Sequence, residues 1–68
     1  TYQNFDLKAA LDALEAEDKL VVELRYFEDM KLEKIAEILN ENLSTVKSRL
    51  YRSLKKLRVK LGEKEEVI

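Results

Sequence analysis

The side chains best suited to binding or chemistry lie in one acid-free stretch, residues 42–61. This stretch contains seven Lys and Arg side chains and no Asp or Glu. At about 100° per residue, a helix here would carry its leucines on one side and hydroxyls, a tyrosine and cations on the other. Cations hydrogen-bond guanine or phosphate, hydroxyls hydrogen-bond phosphate or bases, and a tyrosine ring can lie against a thymine methyl group. The pattern therefore predicts a helix face that contacts nucleic acid.

The candidate contact residues lie on this face or in the first turns of the same helix. They are Ser44, Thr45, Lys47, Ser48, Arg49, Tyr51, Arg52, Lys55 and Lys56. The backbone amides at the start of the helix could also hold a phosphate. The alternative is a solvated basic face on a small helical bundle, since charged helix faces are usually exposed to water. A solvated face ordinarily mixes Lys with Glu, whereas cations without acids favour a polyanionic partner.

The charge of the whole chain conceals this cluster. The formal net charge is −1, from 13 basic and 14 acidic residues, and that average argues against nucleic acid because such domains are usually basic. However, residues 1–41 carry eleven acids and five bases, and residues 62–68 carry three acids and one base. This segregation predicts one basic helix on an acidic body. We expect the acidic part to stay away from phosphates and to be available to protein partners.

Four helices are predicted to position the basic face. Apolar residues at three- and four-residue spacing predict helices over roughly residues 5–15, 17–27, 32–39 and 43–61, followed by a tail over 62–68. Asn40 and Gly62 are residues that favour helix ends, and Asn42 is a good N-cap for the fourth helix. Residues 1–68 are therefore predicted to form a single all-α domain, a small four-helix domain with a C-terminal helix-turn-helix.

The composition also limits the chemistry. The chain has no Cys and no His, which argues against disulfides, the commonest metal ligands and the commonest general base. We expect no enzymatic activity, cofactor or metal. Tyr26 and Phe27 are predicted to lie in the core, and the acidic cluster of Glu15, Glu17 and Asp18 is predicted to be a solvated helix start. No membrane insertion is expected. The start at Thr1 suggests a domain cut from a longer protein, for which cytoplasmic residence is the default.

Three segments resemble region 4 of bacterial sigma factors of the sigma-70 family, most of all the extracytoplasmic-function group. They are LRYFE at 24–28, LEKIAEIL at 32–39 and LSTVKSRLYR at 43–52. The helix-turn-helix of response regulators is the second candidate, since it shares the sequence Thr45-Val46-Lys47. That family usually places His where Arg49 stands here, so the resemblance to sigma factors is the stronger.

The resemblance implies binding to double-stranded promoter DNA at the −35 element, as part of RNA polymerase holoenzyme. It also implies contact with the β flap of the polymerase core and masking by an anti-sigma factor. Lys47, Ser48 and Arg52 match the family's main DNA-contacting positions. Close candidates are Ser44, Thr45 and Arg49, with Lys55 and Lys56 as phosphate contacts. The alternative function is a protein-interaction module that docks polymerase or an anti-sigma factor through its first two helices.

Four residues depart from the family pattern. Asp29 and Asn40 stand where Gly is common, and Lys31 stands where Ser or Thr usually caps the third helix. Glu41 replaces an apolar residue in the turn, so an acid lies in sequence beside the predicted DNA-contacting helix.

Overall fold

Four helices joined by short connections make up the part of the chain that the structure describes. This computed structural model describes residues 4–60, with side chains from residue 7 onward. The helices are α1 (Asn4–Asp12), α2 (Ala16–Tyr26), α3 (Leu32–Leu39) and α4 (Leu43–Lys60). No strand occurs in residues 4–60, and the prediction of an all-α fold is confirmed. The predicted helix end at Leu61, the terminating Gly62 and the tail over 62–68 lie outside the described residues.

The end of α1 is the main difference from the predicted boundaries. The sequence predicts a helix to Glu15, but α1 ends at Asp12. The Leu14 amide donates to the Leu11 carbonyl at 3.0 Å, which tightens the last turn, and Glu15 then takes an extended conformation with ψ 155°. Leu14 packs against the core after this turn. Because no Gly or Pro marks this boundary, the sequence signal for it is weak.

The core lies where α2, α3 and α4 meet. Val21, Ile35 and Val46 each have zero exposure, one from each of these helices. Leu50 and Leu57 extend the contact along α4, which packs against all three other helices. Burial of such side chains stabilises the fold by about 1.5–3 kcal/mol each. The predicted apolar face of α4 is therefore the face that packs into the core, and its opposite face is left exposed.

The connection between α3 and α4 sets the angle between the two helices of the motif. Asn40 takes the left-handed conformation, with φ 55° and ψ 48°. Its amide donates to the Glu37 carbonyl at 3.2 Å, and the Glu41 amide donates to the Ala36 carbonyl at 2.9 Å, which is the Schellman pattern of helix termination. The Asn42 carbonyl then accepts the Val46 amide at 3.1 Å, so Asn42 occupies the predicted N-cap position of α4.

The connection between α2 and α3 uses the second left-handed residue, Asp29, with φ 55°. Arg25 closes this loop, because its Nη1 donates to the Met30 carbonyl at 3.3 Å. Its guanidinium also lies 5.8 Å from the centre of the Tyr26 ring. Lys31 precedes α3 and makes no side-chain capping hydrogen bond. Asp29 and Asn40 stand where the resembling family commonly has Gly. Both adopt the left-handed conformation, which Gly adopts without steric cost.

An exposed ion pair joins α1 to α2. Lys19 Nζ lies 2.6 Å from Asp12 Oδ1, and Lys8 Nζ lies 3.2 Å from Asp12 Oδ2. The hydrogen bond from Lys19, and after it that from Lys8, holds the pKa of Asp12 below its ordinary value. The same bond raises the pKa of Lys19. The pair is therefore fully ionised across the neutral range, although its exposure limits its contribution to stability.

Candidate nucleic-acid interface

The solvent-facing side of α4 presents most of the predicted contact residues together. Lys47, Ser48, Tyr51 and Arg52 are exposed along two successive turns, and 63% of Tyr51 is accessible. The exposed set comprises Ser44, Thr45, Lys47, Ser48, Tyr51, Arg52, Lys55 and Lys56. We call these eight residues the basic face. Since α4 contains no acidic residue, the basic face carries no carboxylate of its own to offset the cations.

Arg49 is not part of the basic face, which corrects its prediction as a surface contact. Its side chain is only 16% exposed and points toward acids on other elements. Nη1 lies 2.7 Å from Glu17 Oε1 and 3.7 Å from Asp18 Oδ1, and Nη2 lies 3.5 Å from Glu41 Oε1. This guanidinium links α4 to α2 and to the α3–α4 turn, and it is unavailable to an external ligand in this arrangement.

Asp18 likewise differs from the prediction of a solvated helix start. It is 2% exposed, and besides Arg49 it contacts Lys56, with 3.7 Å between Oδ2 and Nζ. The burial of Asp18 could be predicted from the spacing of α2. Asp18 precedes the buried Val21 and Val22 by three and four residues, so it lies on the same helix face. Glu15 and Glu17 are exposed, as predicted.

Ser53 is a buried polar residue that was not among the predicted core or site residues. It has zero exposure, and its hydroxyl donates to the Arg49 carbonyl at 2.7 Å. On a helical projection it lies only about 20° from Val46, so its position on the core side of α4 was available from the sequence. A small side chain at this point leaves room for α4 to approach its neighbours closely.

The predicted burial of Tyr26 and Phe27 is wrong. Tyr26 is 53% exposed and Phe27 is 58% exposed. Tyr26 is the last residue of α2, and Phe27 is its C-cap with a helical backbone, φ −94° and ψ −33°. Phe27 borders an open groove between α1 and α2, together with Leu7 and Leu11. Each ring is therefore exposed at the end of α2 rather than packed in the core.

Glu41 lies in the turn as predicted, but its charge is directed inward. Its side chain is 27% exposed and contacts Arg49. This pairing offsets the negative charge next to the start of α4, and the first turn of α4 contains no acid. Binding of a phosphate by the backbone amides of that turn stays a prediction.

Neither a metal site nor a membrane-spanning helix is found among residues 4–60. Across residues 4–60, no cluster of three or more Cys, His, Asp or Glu side chains could hold a metal ion. None of the helices in the described part of the chain is long and apolar enough to cross a membrane.

The short turn between α3 and α4, with α4 packed on the core by one side and basic on the other, defines a helix-turn-helix domain. The chain belongs to the family described as sigma-70, region 4, whose model matches residues 4–57, so the resemblance found from the sequence is confirmed. A curated relative, RNA polymerase sigma factor SigV of Bacillus subtilis (strain 168), is 52% identical over 64 residues. The match covers 94% of this chain and 39% of that relative. No solved structure matches the chain.

Proposed function

We propose that the chain binds double-stranded promoter DNA at the −35 element, as the region 4 domain of a sigma factor of the extracytoplasmic-function group, and so directs RNA polymerase to promoters. The observation that carries the proposal is the basic face of α4, exposed along its length and free of acids. Family membership and the similarity to SigV support it. The proposed role is binding rather than catalysis, and it belongs in the cytoplasm, where promoter DNA is found.

The proposal assigns different tasks along the basic face. In a helix-turn-helix, the N-terminal part of the second helix enters the major groove and reaches base edges. We assign base contacts to Lys47, Ser48 and Arg52, and contacts with the first phosphates to Ser44 and Thr45. Lys55 and Lys56 lie further along α4 and would contact the phosphate backbone. Tyr51 presents its ring between these two groups.

Binding of DNA duplexes to single variants tests this assignment. A duplex selected by the chain from a randomised pool is compared with a scrambled duplex of the same composition. Lys47→Ala and Arg52→Ala should each weaken binding to the selected duplex by about 1–3 kcal/mol and relax the preference for it. Arg52→Lys is the matched control for charge, because it retains the cation but loses the bidentate fork. It should lose discrimination while binding the scrambled duplex as tightly as the unmodified chain.

Unchanged affinity and unchanged sequence preference in both alanine variants would overturn the assignment of these residues. A chain that enriches no sequence from the pool would overturn promoter recognition as a whole.

A second function, docking of a protein, is favoured by two open grooves with apolar residues in their linings, one away from the basic face and one beside it. Phe27, Leu7 and Leu11 line the groove between α1 and α2, whose open volume is about 440 Å³. A larger groove of about 610 Å³ lies between α1 and α4, with Leu14 and Val59 among its apolar residues and Arg52 among its basic ones. We propose that such grooves receive RNA polymerase core, through its β flap, or an anti-sigma factor. A partner in the second groove would cover part of the basic face.

A further inference from the structure

A buried ion-pair network lies beside the basic face, and the proposed function does not use it. At its centre are Asp18, with a side chain 3% exposed, and Arg49, with a side chain 16% exposed. Glu17 and Glu41 contact the same guanidinium from the outside, and Lys56 contacts Asp18. The participants come from α2, from the α3–α4 turn and from α4. The network therefore joins α4, which carries the basic face, to α2 and to the α3–α4 turn.

We propose that Asp18 and Arg49 are positioning residues that hold α4 in the orientation needed for sequence-specific contact with DNA. This inference rests on the proposed DNA-binding function. Neither residue contacts DNA in the proposal, and they act through the placement of Lys47, Ser48 and Arg52.

The position of Arg49 along α4 is suited to this role. It follows Lys47 and Ser48 directly and precedes Arg52 by about one turn. Contacts to two separate elements restrict both the rotation of α4 about its axis and its sliding along that axis. A rotation of about 20° would move a side chain about 5–6 Å from the axis by about 2 Å. Because hydrogen bonds weaken over shorter displacements than this, base contacts depend on the restraint.

The network is better explained by orientation than by stability. Removing charges from water is unfavourable, and buried ion pairs are often no more stabilising than apolar residues of similar size. Arg49 Nε is also buried without a hydrogen-bond partner among the described residues, which adds a further penalty. In contrast to apolar packing, the planar guanidinium and its carboxylates impose direction. The arrangement therefore restricts α4 to one placement without being the most stable filling of this space.

A double-mutant cycle tests the proposal. Asp18→Asn, Arg49→Gln and the double variant are measured with the selected and scrambled duplexes, at a temperature where circular dichroism shows all of them folded. The readout is the dissociation constant for the scrambled duplex divided by that for the selected duplex. A change in net charge affects both constants alike and cancels in this ratio. Each single variant should lower this ratio roughly tenfold, and the double variant should lower it no further, since all three break the same link. A purely structural role would lower the melting temperature and leave the ratio unchanged.

Two further variants make the result decisive. Asp12→Asn removes an ion-paired carboxylate that contacts Lys8 and Lys19 rather than α4, and it should leave the ratio unchanged. Arg49→Lys keeps the charge but loses the planar fork, and it replaces Arg49→Gln if that variant does not fold. It should lower the ratio to the same extent.

Each remaining outcome contradicts a defined claim. An unchanged ratio in folded Asp18→Asn overturns the positioning role and leaves DNA binding intact. Additive losses in the double variant overturn the shared role of the two residues, because Arg49 then acts without Asp18, either through Glu17 and Glu41 or on DNA directly. A chain that discriminates no duplex overturns the proposed function and this inference together.

Discussion

Arg49 and Arg52 lie about one helical turn apart but have different environments. Their angular positions around the axis of α4 explain the difference. Arg49 lies about 60° from Val46 on a helical projection, whereas Arg52 lies about 120° away on the same side. The first therefore reaches across the flank of α4 to Glu17, Asp18 and Glu41. The second extends into solvent. A count of cations treats the two alike, but the position relative to a buried valine separates them.

Phe27 is the residue on which the protein-docking function can be tested. It is 58% exposed, so Phe27→Ala should change the free energy of unfolding little. Aromatic anchors at interface centres commonly contribute more than about 1 kcal/mol, and those that dominate contribute about 2 kcal/mol or more. We therefore expect binding to RNA polymerase core to weaken by roughly tenfold or more. The measurement is the dissociation constant of the chain for core enzyme, with raised salt to suppress charge-driven association.

Tyr51→Ala is the matched control, since it removes another aromatic ring of similar exposure, 63%, from the basic face. It should weaken DNA binding and leave polymerase binding unchanged. Equal polymerase binding by Phe27→Ala and the unmodified chain would remove the α1–α2 groove as the docking surface.

At the scale of elements, the boundaries with strong local chemistry could be predicted and the others could not. The bounds of α3 and the start of α4 follow from a clear apolar stripe between Lys31 and the Asn40–Asn42 turn, and the structure agrees with them. The end of α1 has no such signal, because its last turn tightens and its conformation depends on how Leu14 packs. Tertiary packing of this kind is not present in the local sequence.

The same limit applies to the candidate interface. The amphipathic spacing of α4 was sufficient to predict the basic face, since one apolar stripe fixes the opposite side. The partner of Arg49 could not be predicted from α4 alone, because Asp18 lies 31 residues earlier in the sequence, on α2. The prediction for Phe27 is wrong because its backbone is still helical, with φ −94° and ψ −33°, and on a helical projection it lies about 120° from the buried Val21.

Asn40 provides a test of the turn that joins the two helices of the motif. Its φ of 55° is unfavourable for most residues by about 1–2 kcal/mol, whereas Gly adopts it freely. Asn40→Ala should therefore lower the free energy of unfolding by about 1 kcal/mol, since Asn tolerates this conformation better than Ala. Asn40→Gly should leave stability unchanged or slightly increase it. Chemical denaturation of the two variants and the unmodified chain gives the comparison.

The two substitutions at Asn40 control for each other, because both remove the amide side chain. A result in which Ala is as stable as Gly would mean that the turn does not hold the left-handed conformation in solution.

At the scale of the whole molecule, most acids lie away from the basic face, although Asp18 pairs with Lys56 at 3.7 Å. The four cations Lys47, Arg52, Lys55 and Lys56 share one side of α4, while the acids of residues 4–60 lie on the other helices and their connections. The molecule measures 33 × 30 × 19 Å, and charges in physiological salt are screened beyond about 8 Å. A DNA phosphate next to α4 therefore experiences the nearby cations far more than the acids across the molecule. The net charge of −1 does not describe this local field.

The salt dependence of DNA binding can distinguish local charge from net charge. Lys56→Ala and Lys8→Ala each remove one positive charge, and both lysines are accessible, with side chains 51% and 77% exposed. Lys56 lies on the basic face, so its loss should weaken binding to all duplexes alike and reduce the slope of log affinity against log salt by about 0.9. Lys8 lies on α1, and its loss should leave the slope unchanged. Binding measured from about 50 to 200 mM salt gives both slopes. Equal slopes for the two variants would contradict a local contact, because net charge alone changes identically in both.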